Sequence, residues 1–138
     1  MQATNLKTNH LSAPLGMDAG TLFLSWQCAG GVRQTAYEIE VTAGAGTLWT
    51  SGKVLGSGMH TETPAAVPPK TQGQWRIRLW DENDQPGAWS EAEFETGLAQ
   101  SDWQGVWVCP ETEEPDIDCI DAINAFAKPN WEQKQAAL

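Results

Sequence analysis

Residues 75 to 97 read WRIRLWDENDQPGAWSEAEFETG, a stretch that crowds three tryptophans, two arginines and a dense set of carboxylates into 23 positions. Two chemistries suit such a composition. Tryptophan rings can stack on sugars, and paired carboxyl groups can serve a glycosidase as acid and base. The second needs two carboxyls facing each other across a cleft, about 5 to 9.5 Å apart. It also needs an apolar setting that raises the pKa of one of them. Asp81, Glu82 and Asp84 are close in sequence, but they fall in DENDQPG, whose Asp, Asn, Pro and Gly are turn formers. Nothing nearby supplies an apolar pocket, so a turn is expected here and no catalytic residue is assigned.

Other constellations fare no better. His10 and His60 are far apart, and neither has a second ligand at metal spacing. DEND lacks the glycine and the distal bidentate glutamate of an EF-hand loop. Ser25 and Ser90 have no histidine at a readable spacing for a nucleophile–base pair. No cofactor and no metal site is expected. Cys28, Cys109 and Cys119 form no CxxC pair. Free thiols are expected, with a Cys109–Cys119 pairing left open for an oxidising compartment.

The tryptophans divide by position. Trp26 and Trp75 fall on apolar strand faces and are expected in the core, each contributing about 2–3 kcal/mol through buried apolar area. Trp80 falls on the arginine face, where it is partly exposed, covered by a neighbour, or sandwiched between arginine stems. Together with Trp89, Trp103 and Trp107 it forms the set of candidate contacts beyond the core. Exposed tryptophans stack on sugars and also anchor contacts between domains, and domain contact is the favoured reading.

These side chains need elements to hold them. TLFLSWQ places Leu22, Leu24 and Trp26 on one face and Phe23, Ser25 and Gln27 on the other. AYEIEV does the same with Tyr37, Ile39 and Val41 against Glu38 and Glu40, and WRIRLW with Trp75, Ile77 and Leu79 against Arg76, Arg78 and Trp80. Such period-2 alternation marks half-buried antiparallel strands. NLKTNHL, TLWTSGKV, residues 61–67 and EAEFETG are weaker strand candidates. The stretches between them, CAGGVR, TAGAG, GSG, VPPKTQG and DENDQPG, are turn material. About seven short strands with turn signals every ten or so residues predict an all-β fold, an antiparallel β-sandwich of immunoglobulin type.

The expected boundaries are a sandwich over 1–98, then a linker and the truncated start of a following domain over 99–138. In the tail, one short strand is expected at Gly105 to Val108. A helix over DIDCIDAINAFAK, stopped by Pro129, makes the C-terminal tail partly helical.

The 138 residues suffice for one domain and a short appendage. Net charge is −10, and six of those negative charges lie beyond residue 98. That balance argues against nucleic acid as a partner, which requires a basic surface. No apolar run reaches membrane-spanning length, and MQATNLKTNHLSAPLG lacks the apolar core of a signal peptide. The expectation is a chain with no membrane partner and a cytoplasmic location.

The order of LFLSWQ, WRIRLWDENDQPGAWSE and FETG resembles the fibronectin type III pattern. More specifically, the chain resembles the N-terminal immunoglobulin-like module of bacterial α-L-rhamnosidases of the inverting glycoside hydrolase class. NLKTNHLSAPLGMD, SWQ, QTAYEIEV, LWTSGKV, WRIRLWDENDQPGAWSEAEFETGL and SDWQGVWV carry the likeness in that order, over about residues 5 to 108. Pro110 to Leu138 match the family poorly. The resemblance implies that the catalytic carboxylates sit in a domain far downstream and that this chain is a non-catalytic accessory module. Its implied partners are the downstream domains of the parent enzyme and, as a further ligand, a rhamnose-containing carbohydrate. The alternative is a stand-alone carbohydrate-binding or protein-interaction module. One departure stands out. Family members usually carry an aromatic residue two positions before the first tryptophan of WRIRLW, where a tyrosine corner would sit, and here that position is Gly73. The corner hydrogen bond is therefore expected to be absent or replaced.

Overall fold

A computed structural model of the chain describes residues 1–44, 46–106 and 108. Residues Met1–Gln104 make one compact unit. Among the described residues eight strands run in order: β1 (Gln2–Thr8), β2 (Phe23–Ala29), β3 (Ala36–Ala43), β4 (Gly46–Thr50), β5 (Val54–Leu55), β6 (His60–Glu62), β7 (Gln72–Trp80) and β8 (Ser90–Glu95). They form two antiparallel sheets. One is three-stranded in the order β1-β2-β6, and the other is β4-β3-β7-β8 with β5 also paired to β3.

The alternation expected from sequence sets the core. Leu22, Leu24, Trp26, Ile39, Val41, Trp75, Ile77, Leu79 and Phe94 are all buried and pack in one cluster between the sheets. Register keeps the faces separate: Ile39 lies opposite Ile77 and Val41 opposite Trp75, while Glu38 lies opposite Arg78 and Glu40 opposite Arg76. A one-residue slip would turn the charged set inward, so burial on one face fixes the pairing.

Two buried indoles have their N–H groups satisfied. Trp75 donates to Thr8 Oγ1 at 2.9 Å, tying β7 to the end of β1 across the sandwich. Trp26 donates to Gln34 Oε1 at 3.0 Å, and the Gln34 amide nitrogen in turn donates to the carbonyls of Gly56 and Gly58. Every buried side-chain polar atom among the described residues has a partner, as a stable interior requires.

The strand candidates differ from the structure at their ends. TLWTSGKV divides into β4 and β5, because Gly52 adopts φ +60° between them. NLKTNHL stops at Thr8, since Asn9 and His10 take positive φ values and turn the chain. Of residues 61–67 only the first two belong to β6, which ends before Pro64. Gly105, Val106 and Val108 lie in no strand, so the short tail strand expected there is not formed by them. A 3-10 turn, Gln100–Asp102, follows β8. The helix expected over DIDCIDAINAFAK, the Cys109–Cys119 question and Trp107 lie outside the described residues.

At Gly73 the register explains the missing aromatic residue. Gly73 sits directly opposite Phe94, and a methyl group built on it would overlap the Phe94 ring. The space that the corner residue would take is filled from the neighbouring strand.

Candidate functional site

The arginines and Trp80 of the stretch that resembles an active site lie on the outer face of the larger sheet, and its acids Asp81, Glu82 and Asp84 lie in the turn between β7 and β8. The carboxylates of its turn are engaged, and those of Asp81 and Glu82 are held in the direction opposite to a catalytic acid's. Asp81 Oδ1 accepts the backbone N–H groups of Asn83 (2.9 Å) and Gln85 (3.0 Å), a turn closed by its own first residue. The Gln85 amide above all holds the Asp81 carboxyl below the usual carboxylate range. Glu82 is held low by its own backbone N–H and by those of Val32 and Arg33, which donate to its Oε2 at 3.0 and 3.3 Å. Asp84 pairs with Lys53. A general acid working near neutrality needs a raised pKa, and Asp81 and Glu82 are pushed the other way. Among the described residues, no group of three or more His, Cys, Asp or Glu side chains is placed to hold a metal ion.

Beside this turn lies a layer of cations and rings. Arg78 reaches Glu38 Oε2 through Nε (2.7 Å) and Nη2 (2.6 Å), and Arg76 reaches Glu40 Oε2 at 2.9 and 2.6 Å. The same guanidinium groups lie over aromatic rings. Arg78 is 4.9 Å from the Trp80 ring centre and 4.8 Å from that of Trp89, while Arg76 is 4.6 Å from Trp89. Lys53 covers Trp80 as well, at 4.8 Å. Trp80 is consequently only 7 % exposed although it points away from the core, with the fully buried Ala36 directly opposite it on β3. Of the three arrangements open to Trp80, cover by neighbouring side chains is the one found. Two arginines approach the ring of Trp89, which is half-buried.

Carboxylates hold the arginines in place, and the arginines cover the rings. Each of these surface pairs contributes modestly, of the order of 0.5 kcal/mol, because water competes for both partners. As a set they put cations over the rings of Trp80 and Trp89, where a stacking sugar would otherwise lie.

Trp103 is placed differently. It follows the 3-10 turn and is 68 % exposed. The segment leading to it is pinned at several points. Thr96 is buried, donates to Pro68 O at 2.7 Å and accepts the Thr71 N–H at 2.9 Å. Gly97 N–H donates to Met17 O at 2.7 Å, and its own carbonyl accepts the Lys70 N–H at 2.9 Å. A side chain on Gly97 would run into the Gly16 carbonyl, which explains the glycine. Asp102 closes the set, accepting from Lys70 Nζ at 2.7 Å and from the Ala99 N–H at 2.9 Å. The Lys70 ammonium, then the Ala99 amide, hold the Asp102 carboxyl below its ordinary range.

The four candidate tryptophans thus separate. Trp80 and Trp89 are approached by Arg76 and Arg78 of β7 and, for Trp80, by Lys53 between β4 and β5, Trp103 is open to solvent at the exit from β8, and Trp107 lies outside the described residues. The pinned exit gave no local signal in the sequence, since Lys70 and Asp102 are 32 positions apart. Lys70, with φ 58°, occupies a conformation its residue type does not advertise.

Comparison with known proteins agrees with this architecture. The family model described as Rha78A-like, N-terminal immunoglobulin domain matches residues 3–100. An α-L-rhamnosidase of Streptomyces avermitilis is 34 % identical over 134 residues, covering 86 % of this chain and 13 % of that protein. Among solved structures, the α-L-rhamnosidase from Dictyoglumus thermophilum superposes with a TM-score of 0.69 at 29 % identity, over 75 % of this chain and 13 % of that one. The S. avermitilis α-L-rhamnosidase complexed with L-rhamnose gives a TM-score of 0.62 at 32 % identity, over 75 % and 11 %. The chain thus spans only a small part of the length of the relatives it matches. It belongs to the family of Rha78A-like N-terminal immunoglobulin domains.

Proposed function

We propose that this chain is a non-catalytic accessory module of an α-L-rhamnosidase, a glycoside hydrolase that releases terminal α-L-rhamnose. In this reading it braces the domains that follow it and takes no part in bond cleavage. The observation that carries the proposal is the family match over residues 3–100, a domain that makes up 13 % or less of the solved rhamnosidases it superposes on. The site geometry supports it independently. Asp81, Glu82 and Asp84 are committed to turn hydrogen bonds or an ion pair, and the carboxyls of Asp81 and Glu82 are held below their ordinary range, away from what a general acid requires.

A carbohydrate-binding role draws less support. Stacking on a sugar needs an open ring face, and the faces of Trp80 and Trp89 carry Lys53, Arg76 and Arg78.

Deleting residues 1–104 from a full-length rhamnosidase that contains this module tests the bracing role. The proposal expects kcat on an aryl α-L-rhamnoside to be retained by the enzyme that remains folded, with a shorter half-life on heating. An unchanged half-life would count against bracing, and loss of kcat in a still-folded enzyme would count against a non-catalytic role.

A further inference from the structure

We infer that the free edge of β8, at Glu91 to Glu93, takes up an extended cationic peptide as an added strand. The site makes no use of the accessory reading, and either can fail without the other.

The edge has unpaired backbone groups. β8 ends the larger sheet and β1 ends the smaller one, and the two edges lie beside each other. Ser90 Oγ joins them, donating to Ala3 O at 2.6 Å. Glu95 shows which backbone groups point away from β7. Its N–H donates to Pro14 O at 2.9 Å, and its carbonyl accepts the Met17 N–H at 3.0 Å. Alternation along the strand gives Glu91 and Glu93 the same orientation. Their N–H and C=O groups have no hydrogen-bond partner among the described residues. The chain already adds a strand to this edge, because Pro14 and Met17 bracket Glu95 and Met17 forms a parallel bridge to Thr96. Ala13, with φ 45°, turns that segment away and leaves the rest of the edge uncovered.

A groove of about 590 Å³ runs along the uncovered stretch, with Ala3, Leu6 and Ala92 among its lining residues. β1 bulges beside it: its register against β2 shifts between Thr4 and Lys7, and Asn5 takes φ 48°. Leu6 and Ala92 pack on the rim of the core, so one wall is apolar. The other is acidic. Glu91 and Glu93 are exposed, and neither pairs with a cation among the described residues. Arg76, opposite Glu91, is committed to Glu40. Gln74, opposite Glu93, gives its amide to Glu91. A strand added here alternates its side chains between the two walls. Residues opposite Glu91 and Glu93 meet the carboxylates, and the residue between them faces the apolar wall. The occupant therefore carries lysine or arginine at alternate positions with a small apolar residue between them. Its backbone N–H groups bond the edge, and its charges set the register.

An NMR titration of the 138-residue chain tests the site. The probe is a capped peptide of alternating lysine and valine, about six residues long. Shift changes should centre on Leu6 and on Glu91 to Glu93. In the complex the amides of Glu91 and Glu93 should exchange at least about ten-fold more slowly. Glu93→Gln should weaken binding about three-fold. Asp84→Asn, an equal loss of charge in the turn after β7, should leave it unchanged. The same peptide N-methylated on its lysine backbone nitrogens keeps its charge and loses its donors, and it should not bind. Equal binding of the methylated peptide, or shift changes centred on the acids beyond residue 104, would reduce the contact to general charge attraction and overturn the inference. Absence of binding overturns it too. So does protection of Glu91 and Glu93 that appears without peptide as the chain concentration rises, which would give the edge to a second copy.

Discussion

The ring of Phe94 on β8 lies across Gly73 on β7, its direct cross-strand partner. The two positions act as one unit, in which the glycine has no side chain because the phenylalanine uses its space. Gly73→Ala should cost about 1–3 kcal/mol through overpacking. In a Phe94→Leu background the same change should cost distinctly less, because the clashing ring is gone. Urea denaturation of the four proteins gives the coupling directly. Additive effects would mean that the ring does not occupy that space.

Thr8 should matter more than its size implies. Its hydroxyl is the acceptor for the buried Trp75 indole N–H. Thr8→Val keeps the shape and removes the acceptor, leaving a buried donor unpaired. A loss of about 1–3 kcal/mol is expected. A change below a few tenths would show that Trp75 finds another partner.

On the outer face the arginine should outweigh its carboxylate. Arg78→Ala removes a partner of Glu38 and cover from both Trp80 and Trp89. Glu38→Gln removes only the ion pair, at a quarter-exposed site where such pairs are weak. Arg78→Ala should therefore lower the unfolding midpoint more, by about 1 kcal/mol. It should also increase quenching of tryptophan fluorescence by acrylamide, which Glu38→Gln should leave nearly unchanged.

Acid should weaken the module through Glu82. Its carboxyl is held below the ordinary range by backbone N–H groups, so at pH values between its folded and unfolded pKa the unfolded chain binds the extra proton. The stabilisation is complete above the ordinary glutamate pKa of about 4.3 and is lost as pH falls through the depressed folded value. Glu82→Gln should thus lower Tm at pH 7, with the gap from the parent chain closing as the pH drops below about 4. A gap that is constant with pH would remove the charge from the explanation.

Alternation along the strands made the core legible. Trp75, Ile77 and Leu79 faced inward as their spacing required, and so did Leu22, Leu24 and Trp26. The turn reading of DENDQPG held because Asp81 closes its own loop, a contact contained within five residues. Less legible were contacts made across long separations. The cover on Trp80 comes partly from Lys53, 27 positions earlier, and depends on how β3 registers against β7. The division of TLWTSGKV hinged on one glycine conformation, and the exit pin on Lys70 meeting a carboxylate from a turn no local signal announced. For Gly73 the sequence marked an absence, and only the pairing with Phe94 supplied its reason.

The central claim is that this chain does no chemistry of its own, and an activity assay meets it most directly. The purified 138-residue chain is incubated with an aryl α-L-rhamnoside, and release of the aryl group is followed against a buffer blank. The account predicts a rate equal to the blank at every concentration of the chain. Turnover that co-purifies with the chain, scales with its concentration and disappears on mutating Asp81, Glu82 or another of its carboxylates would contradict it.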